Sequence, residues 1–182
     1  ASQPGEVVNY VENHDNPTLW DIHALKLPQA TSAPERARVQ LLGAAFVAFS
    51  QGIPYFHAGM DVLRSKSLDR NSFDSGDGFN RLDWTYIDNG FGVGLPPWRD
   101  NGKDWNLLRP ALLNADAKPS PADIAWMGDA FRDLLRIRAS MPLLRLRNVD
   151  DVQRRLSFRN VGPKQDPLVI AGHLDGEGMP GA

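Results

Sequence analysis

The chain reads Asn9-Tyr10-Val11-Glu12-Asn13-His14-Asp15-Asn16-Pro17-Thr18-Leu19-Trp20-Asp21 near its beginning, so that an apolar segment ends abruptly in polar side chains. Valine and tyrosine predominate over residues 7–11, which is typical of a strand buried on both faces of a parallel sheet. His14, Asp15 and Asn16 follow at the carboxyl end of this predicted strand. The carboxyl ends of the strands carry the chemistry in a β/α barrel. The pattern therefore predicts a barrel strand with a polar site after it.

These three polar residues allow two interpretations. A carboxylate between an imidazole and an amide can bind a hydroxyl-rich ligand, because each group forms directional hydrogen bonds. The same residue types are also common in turns, where an Asp or Asn side chain caps the backbone. Taken alone, His14, Asp15 and Asn16 do not distinguish a binding site from a turn.

Two later blocks support the first interpretation. The opening stretch resembles a signature region of the α-amylase superfamily (glycoside hydrolase family 13), in its pullulanase and limit-dextrinase branch. Residues 52–60 resemble the last barrel strand of this branch, and segments within residues 63–84 resemble the loop behind it. The resemblance implies an α/β fold. Its expected parts are the C-terminal portion of a (β/α)8 TIM barrel (strands 7 and 8 with their helices) in residues 1–145, and the start of a C-terminal β-sandwich domain in residues 146–182.

The resemblance also implies an α-1,6-glucan debranching hydrolase with a retaining mechanism. Such a mechanism needs a carboxylate nucleophile and a carboxylic acid about 5 Å apart. In the family these lie on the fourth and fifth barrel strands, which have no counterpart in this chain. By resemblance, Asp15 is the catalytic carboxylate that stabilises the transition state, and His14 shares the hydroxyls of the same sugar. We therefore expect a larger catalytic domain, of which this chain alone would be inactive.

Further residues are implied to bind the glucan chain. In pullulanases, residues in the positions of Arg70 and its neighbours hold the next glucose units. Trp98 lies among prolines and an arginine, so it is poorly suited to a core and is expected to be exposed. The expected partners are an α-glucan polysaccharide or oligosaccharide and the remaining barrel segment of the parent protein. The expected substrate-binding residues are Asn16, Arg70, Asn71 and Asp74, by resemblance, and Trp98, from its local sequence.

Local patterns predict two long helices. Ser32 and Glu35 have the spacing of a capping box, which predicts a helix over about residues 34–51. Apolar residues cover almost every side of that helix, so we expect wide burial. A second helix is predicted over about residues 121–140, with Ser120 as its cap. The intervening residues 60–119 read as a long loop held down by aromatic side chains, with five of the seven expected to pack beneath it.

Composition excludes several classes of function. A hydrophobic content of 42% and a formal net charge of −2 are ordinary for a globular chain, and neither a basic patch for nucleic acid nor a membrane-spanning apolar run is present. The absence of cysteine excludes a disulfide framework, a thiol nucleophile and a thiolate zinc site. The four histidines lack metal-ligand spacing. We expect no required cofactor; calcium remains possible in the whole enzyme, although no site is identified here.

Two alternatives remain open at this point. One is a non-catalytic α-glucan-binding protein that lacks the acid and the nucleophile. The other is an isoamylase-like or α-1,4-acting relative, against which the extension from Asn16 to Asp21 argues. Met60 stands where many relatives carry Gln or Ser, which leaves the fine specificity open. Resemblance to bacterial pullulanases slightly favours an extracellular or periplasmic location.

Overall fold

The structure, a computed structural model, describes residues 1–179 and is rich in helix, with two small sheets in that range. Strands β1 and β2 and helices α1 and α2 form its first part: β1 (Val8–Asn9), α1 (Leu19–Lys26), α2 (Ala33–Phe49) and β2 (Ile53–Pro54). Five helices follow: α3 (Asp77–Asn80), α4 (Trp98–Asn101), α5 (Trp105–Leu112), α6 (Pro121–Ser140) and α7 (Val149–Arg155). Two strands end the described fold: β3 (Leu156–Phe158) and β4 (Gly172–Leu174).

Strands β1 and β2 pair in parallel, with Val8 opposite Ile53 and Asn9 opposite Pro54. Both strands are shorter than the sequence predicts. The expectation that the first strand is buried on both faces is wrong for this chain, because Val8 and Tyr10 are about half exposed. The reason is that β2 is the only strand paired with β1 among the described residues.

Helix α1 directly follows the polar residues of the opening stretch and was not predicted. It begins after Thr18, whose hydroxyl accepts a hydrogen bond from the Asp21 amide at 3.2 Å. Trp20 is fully buried in the core, and its indole Nε1 donates to the Ala117 carbonyl at 3.2 Å. The helix thus fixes the position at which the polar segment ends.

Helix α2 begins and ends within two residues of its predicted bounds, because its capping box forms as expected between Ser32 and Glu35. The prediction of burial on nearly every side is wrong. The side that packs on α6 is buried, but Leu42, Phe46 and Phe49 are exposed. Burial depends on which elements lie nearby, and residues 1–179 contain none that covers this side.

Helix α6 spans the predicted residues and is capped by Ser120, whose side chain accepts from the Asp123 amide. Its buried face belongs to the core that it shares with α1, α2 and residues 60–117. Phe131 packs edge-on against Phe56, with ring centroids 5.0 Å apart. The Arg138 guanidinium donates to three carbonyls at the end of α2, those of Ala48, Ser50 and Gly52. Helices α2 and α6 are therefore joined by side-chain packing and by this cap.

The segment from Met60 to Pro119 is more ordered than a plain loop, since it contains α3, α4, α5 and several 3-10 turns. Four of its seven aromatic side chains are at least partly buried, not five as predicted. The exposed ones are Phe73, Trp84 and Trp98. Exposure of Trp98 agrees with the prediction.

The last described part holds α7 and the antiparallel pair β3–β4, with Leu156 opposite Leu174. The turn that precedes it, residues 142–146, is joined to the rest through Gln51, which donates to the Leu143 carbonyl at 2.7 Å and accepts from the Leu146 amide at 3.1 Å. The domain predicted for residues 146–182 thus begins with a helix before its strands, and its last three residues lie outside the described range. No helix within residues 1–179 is long and apolar enough to cross a membrane.

Candidate functional site

Three separate segments meet around one open cleft of about 780 Å³. The turn after β1 contributes Asp15 and Asn16, the segment before α3 contributes Arg70 and Asn71, and Trp98 begins α4. The fold thus brings together five of the seven residues that the sequence singled out. The cleft is completed by residues that were not predicted: Arg99, Asp100, Gly102 and Lys103.

The turn after β1 presents its polar side chains to solvent. His14 and Asp15 side chains are 79% and 70% exposed, with Nε2 and Oδ1 3.7 Å apart. Within the turn, Asn13 Oδ1 accepts from the Asp15 amide at 2.9 Å, and Asn16 has a φ of 61°. His14 does not line the main cleft. It lines an adjoining cavity of about 120 Å³, which Asp15 also borders. The residues therefore form a turn, and that turn faces both cavities.

A buried carboxylate holds Arg70 and Asn71 at the cleft. Asp69 is fully buried and accepts from the Asn71 amide at 2.9 Å and from Asn101 Nδ2 at 3.0 Å. Asn101 Oδ1 in turn accepts from the Arg70 amide at 3.1 Å. Because Asn101 belongs to the same short helix as Trp98, this pair of side chains fixes two walls of the cleft relative to each other.

Asp74 is the predicted binding residue that the structure does not bring into either cavity lining. Its carboxylate lies 3.6 Å from a guanidinium nitrogen of Arg99, which lines the main cleft. The same guanidinium lies 5.6 Å from the centre of the Phe73 ring. Asp74 therefore contacts a residue of the cleft, Arg99, but does not line the cleft itself.

Trp98 is 67% exposed but held in a defined orientation. Its ring packs at right angles on Trp105, with centroids 5.1 Å apart. A Cβ atom at Gly102 would lie only 2.3 Å from the Trp98 ring, so the absence of a side chain at Gly102 allows this close approach. The indole therefore forms a fixed apolar surface beside the charged residues of the cleft.

Glu12 and His57 form a buried pair close to the turn. The Glu12 carboxylate accepts from the Leu19 amide at the start of α1 and lies 3.9 Å from His57 Nδ1. The Arg64 guanidinium, which can only donate, lies 3.4 Å from His57 Nε2, so the imidazole proton belongs on Nδ1. The Glu12 side chain thus joins the start of α1 to His57.

Burial determines the charges of this pair. It raises the pKa of Glu12 to about 7 and lowers the pKa of His57 to about 4. The nearby Arg64 and Lys66 cations lower the pKa of His57 further. The pair is therefore not an ion pair at neutral pH, because the imidazole is uncharged.

Metal-binding side chains are not clustered in the part of the chain that the structure describes. Within residues 1–179, no group of three or more His, Asp or Glu side chains is placed to hold a metal ion.

Comparison with known proteins supports the resemblance. Residues 86–181 match the family described as "Alpha-1,6-glucosidases, pullulanase-type, C-terminal". The chain belongs to this family. It is 50% identical over 170 residues to "Pullulanase 1, chloroplastic" of Arabidopsis thaliana, and the aligned region covers 93% of this chain and 18% of the relative. It is 38% identical over 179 residues to a pullulanase of Klebsiella aerogenes, covering 98% and 16%.

Solved structures agree with these relatives. Klebsiella pneumoniae pullulanase complexed with maltotriose superposes with a TM-score of 0.86 at 39% identity, covering 91% of this chain and 16% of that one. The chain thus spans less than a fifth of the length of these pullulanases. At the level of the family, the relatives indicate α-1,6-glucan debranching.

Proposed function

We propose that this chain forms the late-barrel side of the substrate cleft in a retaining α-1,6-glucan debranching hydrolase. The observation that carries the proposal is the shared cleft, in which Asp15, Asn16, Arg70, Asn71 and Trp98 meet from three segments of the chain. The remaining barrel segment of the parent protein would supply the nucleophile and the acid. Residues 1–145 would complete that barrel, and residues 146–182 would begin the β-sandwich domain.

In this proposal Asp15 stabilises the transition state without attacking the sugar. The sugar flattens and gains positive charge as the glycosidic bond breaks. A carboxylate that accepts hydrogen bonds from its hydroxyls binds this form more tightly than the ground state. The exposed carboxylate of Asp15 leaves its oxygens accessible for that role, with His14 as a second group for the same sugar.

The main cleft then holds the following glucose units. Arg70 and Asn71 offer donors to hydroxyls, with Asn16 beside them, while Asp74 would act through Arg99. Trp98 offers an apolar plane for the C–H face of a sugar ring. The Klebsiella pneumoniae structure that contains maltotriose supports an oligosaccharide as the partner.

A test of the proposal is to compare two exposed tryptophans in the full-length protein. Trp98→Ala removes a cleft residue, whereas Trp84→Ala removes an indole of similar exposure, 54%, that does not line the cleft. Loss of apolar burial worth about 1.4 kcal/mol would weaken maltotriose binding roughly tenfold. We expect this loss for Trp98→Ala in calorimetry and wild-type affinity for Trp84→Ala.

A second variant tests the orientation of Trp98 without removing it. Gly102→Ala should displace the indole and weaken binding in the same assay, because the added methyl group occupies the place of the ring. Equal affinities for the wild type and for all three variants would contradict the proposed cleft. Binding without any pullulan hydrolysis in the full-length protein would instead favour the non-catalytic binder.

A further inference from the structure

Lys66 is a buried cation that contacts the backbone of the site turn. The residue is 1% exposed, and its ammonium Nζ donates to the main-chain carbonyl of His14 at 2.9 Å. Its hydrogen-bond partner is a neutral carbonyl, and the carboxylates of Asp21, Asp69 and Asp15 attract the ammonium only from beyond ion-pair distance. This attraction offsets less of the lost hydration than a direct ion pair would. A buried ammonium with this partner is a costly way to gain stability alone. Its contact with the turn that carries Asp15 suggests a different role.

The other end of Lys66 is tied to the same turn through α1. The Lys66 amide donates at 2.9 Å to the fully buried carboxylate of Asp21, which also accepts from the Ser65 hydroxyl. Asp21 lies in the first turn of α1, and its own amide donates to Thr18, the cap of that helix. Residues 14–21 and Lys66 therefore form a closed ring of covalent and hydrogen bonds. Both ends of the turn are fixed by one lysine residue.

The turn needs such support, because little within it fixes its shape. Asn16 has a φ of 61°, in the left-handed region that costs free energy for a residue other than glycine. The Asp15 amide bonds Asn13 Oδ1, but the side chains of His14 and Asp15 are largely exposed. Without the ammonium, the His14 carbonyl would lose a buried partner and the turn could relax.

We infer that Lys66 is a positioning residue, which holds the backbone of His14 and thereby fixes the Asp15 carboxylate for the reaction. The inference rests on the proposed function of Asp15. A displacement of about 1 Å in a reacting or stabilising group can lower a rate about 100-fold. Lys66 also lines the smaller cavity that His14 and Asp15 border. As a positioning residue it should nevertheless act on kcat more than on substrate binding.

The experiment is a double-mutant cycle in the full-length enzyme with pullulan as the substrate. Lys66→Met removes the ammonium at similar side-chain length, and we expect kcat to fall about 10- to 100-fold with KM changed less than about threefold. In an Asp15→Asn background the same substitution should lower kcat less than about threefold, because the group that it positions has already lost its charge. Lys118→Met is the matched control. That lysine also donates to a main-chain carbonyl, that of Phe91, but it lies outside both cavities, so its kcat should remain that of the wild type.

Each outcome decides the inference. A wild-type kcat for Lys66→Met would overturn it. So would a double variant whose loss of kcat equals the product of the losses in Lys66→Met and Asp15→Asn. If Lys66→Met does not fold, Lys66→Gln carries the same expectation, and failure of both to fold would assign Lys66 to folding and also overturn the inference. If Asp15→Asn alone keeps wild-type activity, the proposed function of Asp15 fails instead, which separates the two failures.

Discussion

His57 Nδ1 lies 3.9 Å from Glu12 Oε1, and both residues are more than nine-tenths buried. Burial shifts the pKa of the two groups in opposite directions, to about 7 for Glu12 and about 4 for His57. Between about pH 4.5 and 6.5 the folded pair therefore carries its proton on the carboxyl group. In the unfolded chain, with ordinary pKa values of 4.5 and 6.5, the proton is on the imidazole. The folded and the unfolded chain therefore bind similar numbers of protons at these two groups. As a result, the opposite pH dependences that the two groups give to the free energy of unfolding largely cancel.

Single substitutions should reveal how each group alone makes the free energy of unfolding depend on pH. In Glu12→Gln, His57 of the unfolded chain gains a proton below about pH 6.5, whereas His57 of the folded chain gains it only near pH 4. The free energy of unfolding should therefore fall as the pH falls from about 6.5 to 4. In His57→Gln, folded Glu12 keeps its proton up to about pH 7 while the unfolded group loses it above 4.5, so stability should fall as the pH rises. Each change amounts to about 3 kcal/mol at most.

The measurement is urea unfolding of the full-length protein from pH 4 to 8, followed by the fluorescence of buried tryptophan. His23 also has a pKa lowered to about 4 by burial, but it is present in every form and cancels when each variant is compared with the wild type. Slopes of the same sign in the two variants, relative to the wild type, would show that the pair does not exchange its proton in this way.

The isolated 182-residue chain should be inactive and prone to aggregation. Val8, Leu42, Phe46 and Ile53 are exposed apolar side chains on β1, α2 and β2, where further barrel elements would pack in the proposed parent. In the proposed parent, the nucleophile and the acid would belong to the remaining barrel segment. We expect no pullulan hydrolysis by the purified chain and early elution in size-exclusion chromatography. Measurable hydrolysis would refute this prediction.

Local signals account for what the sequence could predict of the fold. Helices α2 and α6 were predicted closely, because the Ser32–Glu35 pair and the cap residue Ser120 mark helix starts within a few residues. Helix α1 was missed, since a short helix with buried Trp20 and Asp21 shows no amphipathic period. Burial was misjudged because it depends on neighbours that a local pattern does not contain.

The candidate site, too, could be predicted from the sequence only in part. The resemblance gave four residues of the cleft, Asp15, Asn16, Arg70 and Asn71, and the local sequence indicated Trp98. Only the folded chain shows that residues as distant as Asp15 and Trp98 share one cleft. Lys66 could not be selected from the sequence, because a lysine in a polar segment is normally solvated. Its proposed role depends on contacts with His14 and Asp21, which lie 52 and 45 residues away along the chain.

Arg70→Ala in the full-length enzyme should weaken substrate use without harming the fold. The side chain is exposed in the cleft, and the contact that anchors the residue comes from its backbone amide, which the substitution keeps. A charge-assisted hydrogen bond to a glucan hydroxyl accounts for about 1.5–3 kcal/mol. We therefore expect a higher KM or a lower kcat/KM on pullulan, with the thermal midpoint unchanged. Arg109→Ala, an exposed arginine on α5 outside the cleft, is the control. A fall in the thermal midpoint that accounts for the lost activity would indicate a structural role.

Asp15→Asn tests the proposed function most directly. The side chain is mostly exposed, so the amide, which keeps the size and one acceptor oxygen, should leave the fold intact. Loss of the charge should lower kcat and kcat/KM together by at least about 100-fold, because the carboxylate binds the flattened sugar more tightly than the ground state. His14→Ala should add little in the Asp15→Asn background, since both side chains would hold the same sugar. The measurement is steady-state hydrolysis of pullulan by the two single variants and the double variant of the full-length enzyme. A near-wild-type kcat for Asp15→Asn would mean that His14, Asp15 and Asn16 form only a turn.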